Sequence, residues 1–435
     1  MTLSRAPEGT LKRNLYRFGL AAAAVALAAA VAACGGTGGG SPAAGGKTKL
    51  VVATFGEFGY KELYAEYMKL NPNVEITERV TKAEDHHKNL AAHLATGQGA
   101  ADIEAVEEGW IGQFKATPDK FNNLVDLGAG DVKAQWPDWK WQTSVAKNGA
   151  QIGLGTDVGG LAMCYRTDLF AKAGLPANRD EVSALWKDWD GYIATGKRFA
   201  AAKVPGASFF DGPAVIYRAI LGQADQGLYD TSDNVIMETN PAVRGAFDKT
   251  IEALNAGLSA KIAAWSADWN AGFAKGRFAT IACPSWMMAY IQEQAKDAAG
   301  KWDIAKIPGG GGNWGGSFLT VPKQSKNAKA AFELAKWLTA PEQQAKVFRT
   351  AGNFPSTITL YQDPVITDFV NPFFSNAPVG KIFAESVTTM KAQYLGPKAG
   401  DINTAIINGL TRVEQGKQTP DAAWAQSMTE AKKVL

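Results

Sequence analysis

The sequence predicts an α/β protein of two lobes, each a mostly parallel sheet flanked by helices. Three observations carry this. Short apolar β runs alternate with amphipathic helical stretches from Leu50 to Val106, and strand–helix–strand order builds parallel sheets with helices on both faces. The same alternation resumes after Gly155. Glycine clusters at 153–160 and 309–316 mark two candidate crossings between lobes.

The elements follow in order. Leu50 to Phe55 is an apolar strand that ends at Gly56. Leu63, Tyr64, Tyr67 and Leu70 recur at helical spacing, and Asn71-Pro72 stops that helix. Val74 to Val80 is a second strand, 84–96 a helix capped by Gly97, and Ile103 to Val106 a third strand. Beyond the first crossing come strand 161–165, helix 167–173 closed by Gly174 and Pro176, and helical stretches over 180–202, 243–255 and 268–275. Strand 278–283, helix 286–294 and strand 317–321 follow. Helix 328–338 lines one face with Ala331, Leu334, Ala335 and Leu338, and helices 401–415 and 420–434 end the chain.

The chain has 435 residues, 46% hydrophobic and 20% charged, enough for more than one sizeable core. Its formal charge of +3 comes from the first 33 residues, where Arg5, Lys12, Arg13 and Arg17 oppose only Glu8. The remainder is balanced, so a nucleic-acid partner is excluded on charge. Phe18 to Ala33 is an uncharged, Ala-rich run, too short for a good membrane span and right for a secretory signal. Val31-Ala32-Ala33-Cys34 resembles the bacterial lipoprotein box. Residues 1–33 are therefore read as a signal peptide. Residues 34–46 are read as a lipidated Cys34 with a Gly-rich tether reaching about 20 Å, which anchors the protein to the outer face of the cell membrane. Cys164 and Cys283 remain, each in an apolar run. Export permits a disulfide between them, with two free buried thiols as the alternative.

The missing chemistry narrows the function. The histidines are His86, His87 and His93, and no G-x-S-x-G elbow accompanies them. His86 and His93 share a helix face with too few further ligands for a metal, so a solvated face is expected. Gly309 to Gly312 lacks the Gly-Lys-Ser/Thr of a phosphate loop. No metal or cofactor is expected. What is abundant is tryptophan, 13 residues. Its broad apolar face suits the C–H faces of sugar rings, and carboxylates suit their hydroxyls. Trp136, Trp139, Trp141, Trp186, Trp189, Trp265, Trp302, Trp337 and Trp424 are read as packing residues. Trp110, Trp286 and Trp314 follow strands or sit in a Gly-rich turn, where ligands of open α/β sheets bind.

An ordered set of motifs resembles the extracellular solute-binding proteins of sugar importers, the maltose-binding kind. Val51 to Phe58 is similar to their start, and Ala95-Thr96-Gly97 to Ala101-Asp102-Ile103 resembles an "ATG…PDI" step with Ala101 in place of Pro. Tyr165-Arg166-Thr167-Asp168-Leu169-Phe170 with Ala173-Gly174-Leu175 resembles "YN-x-DLF-xx-AGL", with Arg166 in place of Asn. Phe273 to Ala279 and Pro284-Ser285-Trp286 resemble "F-x-x-G-x-x-A…G-x-W". The segments 315–338 and Asn353-Phe354-Pro355 match the late part of that family.

The resemblance implies two lobes with a ligand cleft between them, residues 47–156 with 306–352 and residues 160–304 with 353–435. It implies a non-enzymatic monomer that closes on its ligand and delivers it to the permease of an ABC importer. The ligand site is expected at Glu57, Phe58, Glu107, Glu108, Trp110, Asp157, Asp211, Trp286, Asn313, Trp314 and Gly315, with Trp286 the stacking residue. The tryptophans favour a di- or oligosaccharide, and an extended chain that exposes repeated flat faces, such as the β-glucan fragment cellobiose, is expected. The alternatives are a secreted glycoside hydrolase with paired carboxylates, and a receptor of the same fold for a polyamine or another organic solute.

Overall fold

The computed structural model describes residues 46–435. The signal run, Cys34 and the tether up to Gly45 lie outside the described residues. Among the described residues nine strands occur in chain order: β1 (Thr48–Phe55), β2 (Val74–Thr81), β3 (Ile103–Glu107), β4 (Gly153–Gly155), β5 (Leu161–Arg166), β6 (Ser208–Phe210), β7 (Phe278–Pro284), β8 (Trp302–Ala305) and β9 (Ser317–Thr320). They form two sheets, one per lobe, ordered β2-β1-β3-β9-β4 and β6-β7-β5-β8.

In the first sheet β1 pairs in parallel with β2 and with β3. The linking helices are α1 (Lys61–Leu70) and α2 (Ala83–Thr96). Helix α1 buries Leu63, Tyr64 and Tyr67 of the stripe its spacing predicts, whereas Leu70, in its last turn, is exposed. Helix α2 stops where Gly97 turns left-handed at φ 76°, and its N–H bonds the His93 carbonyl. In the second sheet β6 and β7 are parallel.

Each sheet also carries one reversed strand. Strand β9 is antiparallel to both β3 and β4, and β5 is antiparallel to both β7 and β8. These are the strands by which the chain enters a lobe from the other one, so they run against the βαβ series already there.

Three crossings join the lobes and lie side by side. The Trp314 N–H bonds the Gly159 carbonyl and Leu161 N–H bonds Gly312, while Val158 N–H bonds Phe354. Gly159 is required here, because a Cβ on it would overlap the Trp314 carbonyl. The second-lobe core extends over Phe348, Phe354, Phe383 and Val387, so the segment after the third crossing packs against lobe two. A satellite core joins the helix Pro213–Leu221 to the helices Pro241–Asn255, Ala399–Glu414 and Pro420–Lys432. Cys164 and Cys283 form a disulfide between β5 and β7.

His86 and His87 are buried, which corrects the reading of a solvated face. His86 Nε2 lies 2.7 Å from the Ala105 carbonyl. His87 Nδ1 lies 2.6 Å from the Ala83 carbonyl, and its Nε2 accepts the Glu107 N–H at 2.9 Å. Burial lowers the pKa of His87 to about 3, so it is neutral and holds the end of β3 in place. Among the described residues no cluster of potential metal ligands occurs, and no helix is long and apolar enough to cross a membrane.

Candidate functional site

The carboxyl ends of β1, β3, β6 and β7 carry Glu57, Glu107, Asp211 and Trp286 respectively, the edge of an α/β sheet where ligands bind. The structure gathers some of the expected residues into one wall. Trp286 and Trp314 meet edge to face with ring centroids 5.6 Å apart, and the Trp286 indole N–H donates to the Trp314 carbonyl at 3.0 Å. Gly315, at φ 90°, lies against that indole nitrogen, and a Cβ there would approach it to 3.0 Å.

Trp265 completes the wall. Its ring lies 6.1 Å from Trp286 at 17°, a near-parallel stack, and 4.9 Å from Trp269. It is 52% exposed and held at φ 69°. A bulky residue at positive φ carries backbone strain of about 1–3 kcal/mol, which the surrounding structure must impose. Trp265 thus packs one side on its aromatic neighbours and presents a large part of its surface to solvent beside Trp286.

Glu107 stands beside this wall. It caps α3 (Glu108–Lys115), accepting the Gly109 N–H at 2.8 Å through Oε2. Burial pushes its carboxyl up to about 7, and repulsion by Glu108 adds to the shift; Arg218 and Lys140 pull the other way. Arg218 lies on the helix Pro213–Leu221 of the opposite lobe, and burial lowers its pKa while the Glu107 charge opposes the fall.

Several expected site residues are engaged elsewhere. Glu108 Oε2 accepts from Lys140 Nζ at 2.6 Å, and its Oε1 accepts from Asn313 Nδ2 at 2.7 Å. The pair is buried, with Lys140, of α4 (Asp138–Thr143), 0% exposed. Glu108 and Asn313 therefore fasten lobe one to the second crossing. Asp157 is buried at the first crossing and takes the Thr156 hydroxyl at 2.6 Å. Burial raises its pKa, and Lys140 offsets part of the rise. Asp211 is 0% exposed, so it makes no direct contact with the cleft. Its Oδ2 accepts the Trp269 indole N–H at 2.7 Å, and burial pushes it up to about 7. It supports the wall from beneath.

Trp110 has one face covered by His87, stacked at 4.9 Å and 10°. Phe58 is buried between Phe55 and Tyr60 at 5.2 and 5.5 Å. Glu57 is exposed, its Oε1 accepting the Gly59 N–H at 2.7 Å. These three stand apart from the tryptophan wall in their contacts.

Arg218 and Lys140 were not singled out from sequence. Gly212-Pro213 before an apolar run is a helix-start signal that would have located Arg218's helix. Nothing local marks Lys140.

Two lobes joined by three crossings, with an aromatic wall beside the strand ends, define the class of a two-lobe binding protein. Residues 62–372 match the family of bacterial extracellular solute-binding proteins, and the chain belongs to that family. Membership places the protein outside the cytoplasm. The chain is 27% identical over 327 residues to the arabinooligosaccharide-binding protein of Bacillus subtilis, covering 69% of this chain and 71% of the relative. It is 26% identical to a probable ABC transporter-binding protein of Deinococcus radiodurans, covering 74% and 76%. A crystal structure of an extracellular solute-binding protein of family 1 superposes with a TM-score of 0.80 at 47% identity, covering 89% of this chain and 99% of that one. The binding protein of B. animalis subsp. lactis Bl-04 in complex with beta-1,6-galactobiose superposes at 0.75 with 19% identity, covering 89% and 96%. The last likeness is one of fold.

Proposed function

We propose that the protein is an extracytoplasmic receptor for a di- or oligosaccharide, anchored through a lipidated Cys34, and that as a monomer it delivers its ligand to an ABC import permease. The observation that carries this reading is the strained, exposed Trp265 stacked beside Trp286 next to Glu107. Flat aromatic faces take sugar C–H surfaces, and a carboxylate takes the hydroxyls. The arabino-oligosaccharide relative and the galactobiose-bound neighbour support the same ligand class. A β-gluco-oligosaccharide such as cellobiose is the first probe and an arabino-oligosaccharide the second. Glu108 and Asp157 are committed to Lys140 and Thr156, which favours binding over glycoside hydrolysis.

The test is calorimetry and Trp fluorescence on the chain lacking residues 1–34, against cellobiose, cellotriose, arabinotriose, maltose, xylobiose and spermidine. Micromolar binding of one sugar, about −8 kcal/mol, is expected, with the sugar recovered uncut. Absence of any sugar binding at millimolar concentration, or recovery of cleaved sugar, would sink the proposal. Two further results are expected with the sugar that binds. Trp265→Ala weakens it about 30-fold, roughly 2 kcal/mol, while the thermal midpoint stays within about 2 °C because the ring is exposed. Affinity rises about tenfold from pH 6 to pH 8, since the ligand's hydroxyls favour the Glu107 carboxylate and this group deprotonates near 7. Glu107→Gln removes the slope; a slope that survives it assigns the titration to another group.

A further inference from the structure

We propose that the segment 390–398 is a strap by which lobe two latches onto lobe one, and that the bare Cα of Gly112 is the seat that lets it close. The strap governs how long a ligand is held without touching the ligand. The inference goes beyond the saccharide reading above and needs only the two-lobe binding class.

The strap joins the helices Val379–Thr389 and Ala399–Glu414, and lobe two fastens it along its length. Gln393 Nε2 donates to the Leu221 and Ala224 carbonyls at 2.6 and 2.7 Å. The Tyr394 hydroxyl donates to Asp233 Oδ1 at 2.6 Å, and the Lys398 N–H donates to the Tyr229 hydroxyl at 3.2 Å. Gly396 rests against the Tyr229 ring, which a Cβ there would overlap. A segment held in this way moves with its lobe.

Contacts of three kinds cross to lobe one. Gly112, inside α3, faces the Leu395 and Gly396 carbonyl oxygens, and a Cβ on it would lie 2.5 Å from both. On the same helix, the ammonium of the buried Lys115 lies 4.6 Å from the centroid of the Tyr394 ring, within cation–π range. Lys147, on the turn between the bridged Val145 and Gln151, pairs with Asp233 Oδ2 at 2.8 Å. Asp233 thus takes the strap's Tyr394 on one oxygen and lobe one's Lys147 on the other.

Glycine weakens the interior of a helix. The φ of Gly112 is not in the left-handed region, so its own backbone does not call for glycine; the approach of the strap does. The chain links the lobes at the three crossings, and these contacts lie outside them. A hinge opening that parts α3 from the strap therefore breaks all three kinds together. Helix α3 is also capped by Glu107, beside the tryptophan wall, so one short helix carries a site carboxylate and the seat of the strap. Contacts made only in the closed form raise its population, and with it the apparent affinity of any ligand that needs closure.

The test sets Gly112→Ala against Gly245→Ala. Both glycines lie inside helices, but nothing lies within 4 Å of a Cβ on Gly245, in the helix Pro241–Asn255. The probes are cellobiose, cellotriose, arabinotriose, maltose and xylobiose, followed by stopped-flow Trp fluorescence and small-angle X-ray scattering. Gly112→Ala is expected to weaken the best-binding sugar about tenfold, almost wholly through faster dissociation, with the association rate within about threefold. Its sugar-saturated complex should have a larger radius of gyration than that of wild type. Its thermal midpoint without sugar should be no lower than that of wild type, because alanine favours the helix. Gly245→Ala should share that midpoint and leave sugar binding unchanged. Tyr394→Ala, which removes the partner of Lys115, should weaken binding about as much as Gly112→Ala. Lys147→Met should weaken it no more than about threefold, because its ion pair is exposed.

An affinity and a dissociation rate in Gly112→Ala within about threefold of wild type overturn the strap. So does a midpoint several degrees below that of Gly245→Ala, which would make the contact part of the permanent core and not of closure. If no sugar binds at millimolar concentration, the saccharide reading falls and the scattering of the sugar-free chains decides the strap. A more extended Gly112→Ala then supports it, and identical curves overturn it.

Discussion

Lys140→Met is expected to cost about 3–5 kcal/mol of stability, the usual loss when one partner of a buried ion pair is removed. Lys140 is fully buried. Its ammonium lies 2.6 Å from Glu108 Oε2 and 4.1 Å from the centroid of Phe318. It also attracts Asp157. Methionine fills a similar volume, so packing is nearly conserved while Glu108 and Asp157 lose their counter-charge. Asn313 alone cannot neutralise Glu108. Urea unfolding measures the loss directly, and a fall of several degrees in the thermal midpoint accompanies it. The double variant Lys140→Met/Glu108→Leu is expected to regain a good part of the lost stability, because no uncompensated charge remains on Glu108. It should also close less firmly, since the Asn313–Glu108 bond between lobe one and the crossing is gone. A loss below 1 kcal/mol in Lys140→Met means that water reaches the pair and the network is not a buried one.

Much of the fold was legible because it is set locally. Helix 328–338 shows its core face at every third or fourth residue, and Ala331, Leu334, Ala335 and Leu338 are all buried. Gly97 ends its helix where a left-handed residue is needed. Strand direction was less legible. Nothing in Ser317–Thr320 or Leu161–Arg166 states that these strands run against their neighbours, because direction follows from which lobe the chain arrives from. The histidines held a readable signal. His86, Leu90 and Leu94 fall on one stripe of α2, and all three are buried; the stripe argues for core, and neutral imidazole satisfies itself on carbonyls there.

Site residues divide in the same way. Trp286 and Trp314 follow strand ends or glycines and can be placed from sequence. Trp265 cannot, since its exposure and positive φ are imposed by the packing of Trp269, Trp286 and Tyr290 around it. Asp211 and Glu108 carry charge in cleft-facing segments, but partners distant in sequence, Trp269 and Lys140, take them out of the solvent. Charge and position in the chain suggest a ligand contact, and only the tertiary partner decides whether the group is free to make one.

Replacing both Cys164 and Cys283 by alanine is expected to lower stability by about 4–5 kcal/mol, the loop-entropy value for a separation of 119 residues. The bridge joins β5 and β7, which are adjacent in the second sheet, with Cα atoms 5.7 Å apart. Cys164 stands opposite Ile281 and Cys283 opposite Ala162, so the bridge runs diagonally across the ladder. The folded sheet already holds these strands together by backbone pairing; the bridge acts mainly on the unfolded chain, which it keeps compact. Two consequences separate this mechanism from simple loss of packing. The urea dependence of the unfolding free energy should steepen in the double variant, because the unbridged chain exposes more surface. Reduction of the native protein's disulfide should reproduce most of the loss without any change of side chain. Ligand affinity at low temperature should stay within about threefold of wild type, since β7 still delivers Trp286 to the same place three residues beyond Cys283. A loss confined to 1 kcal/mol, with an unchanged urea slope, would mean that the unfolded chain keeps β5 and β7 close without the bridge, and that the second lobe owes its stability to the core around Trp186, Trp269 and Trp302.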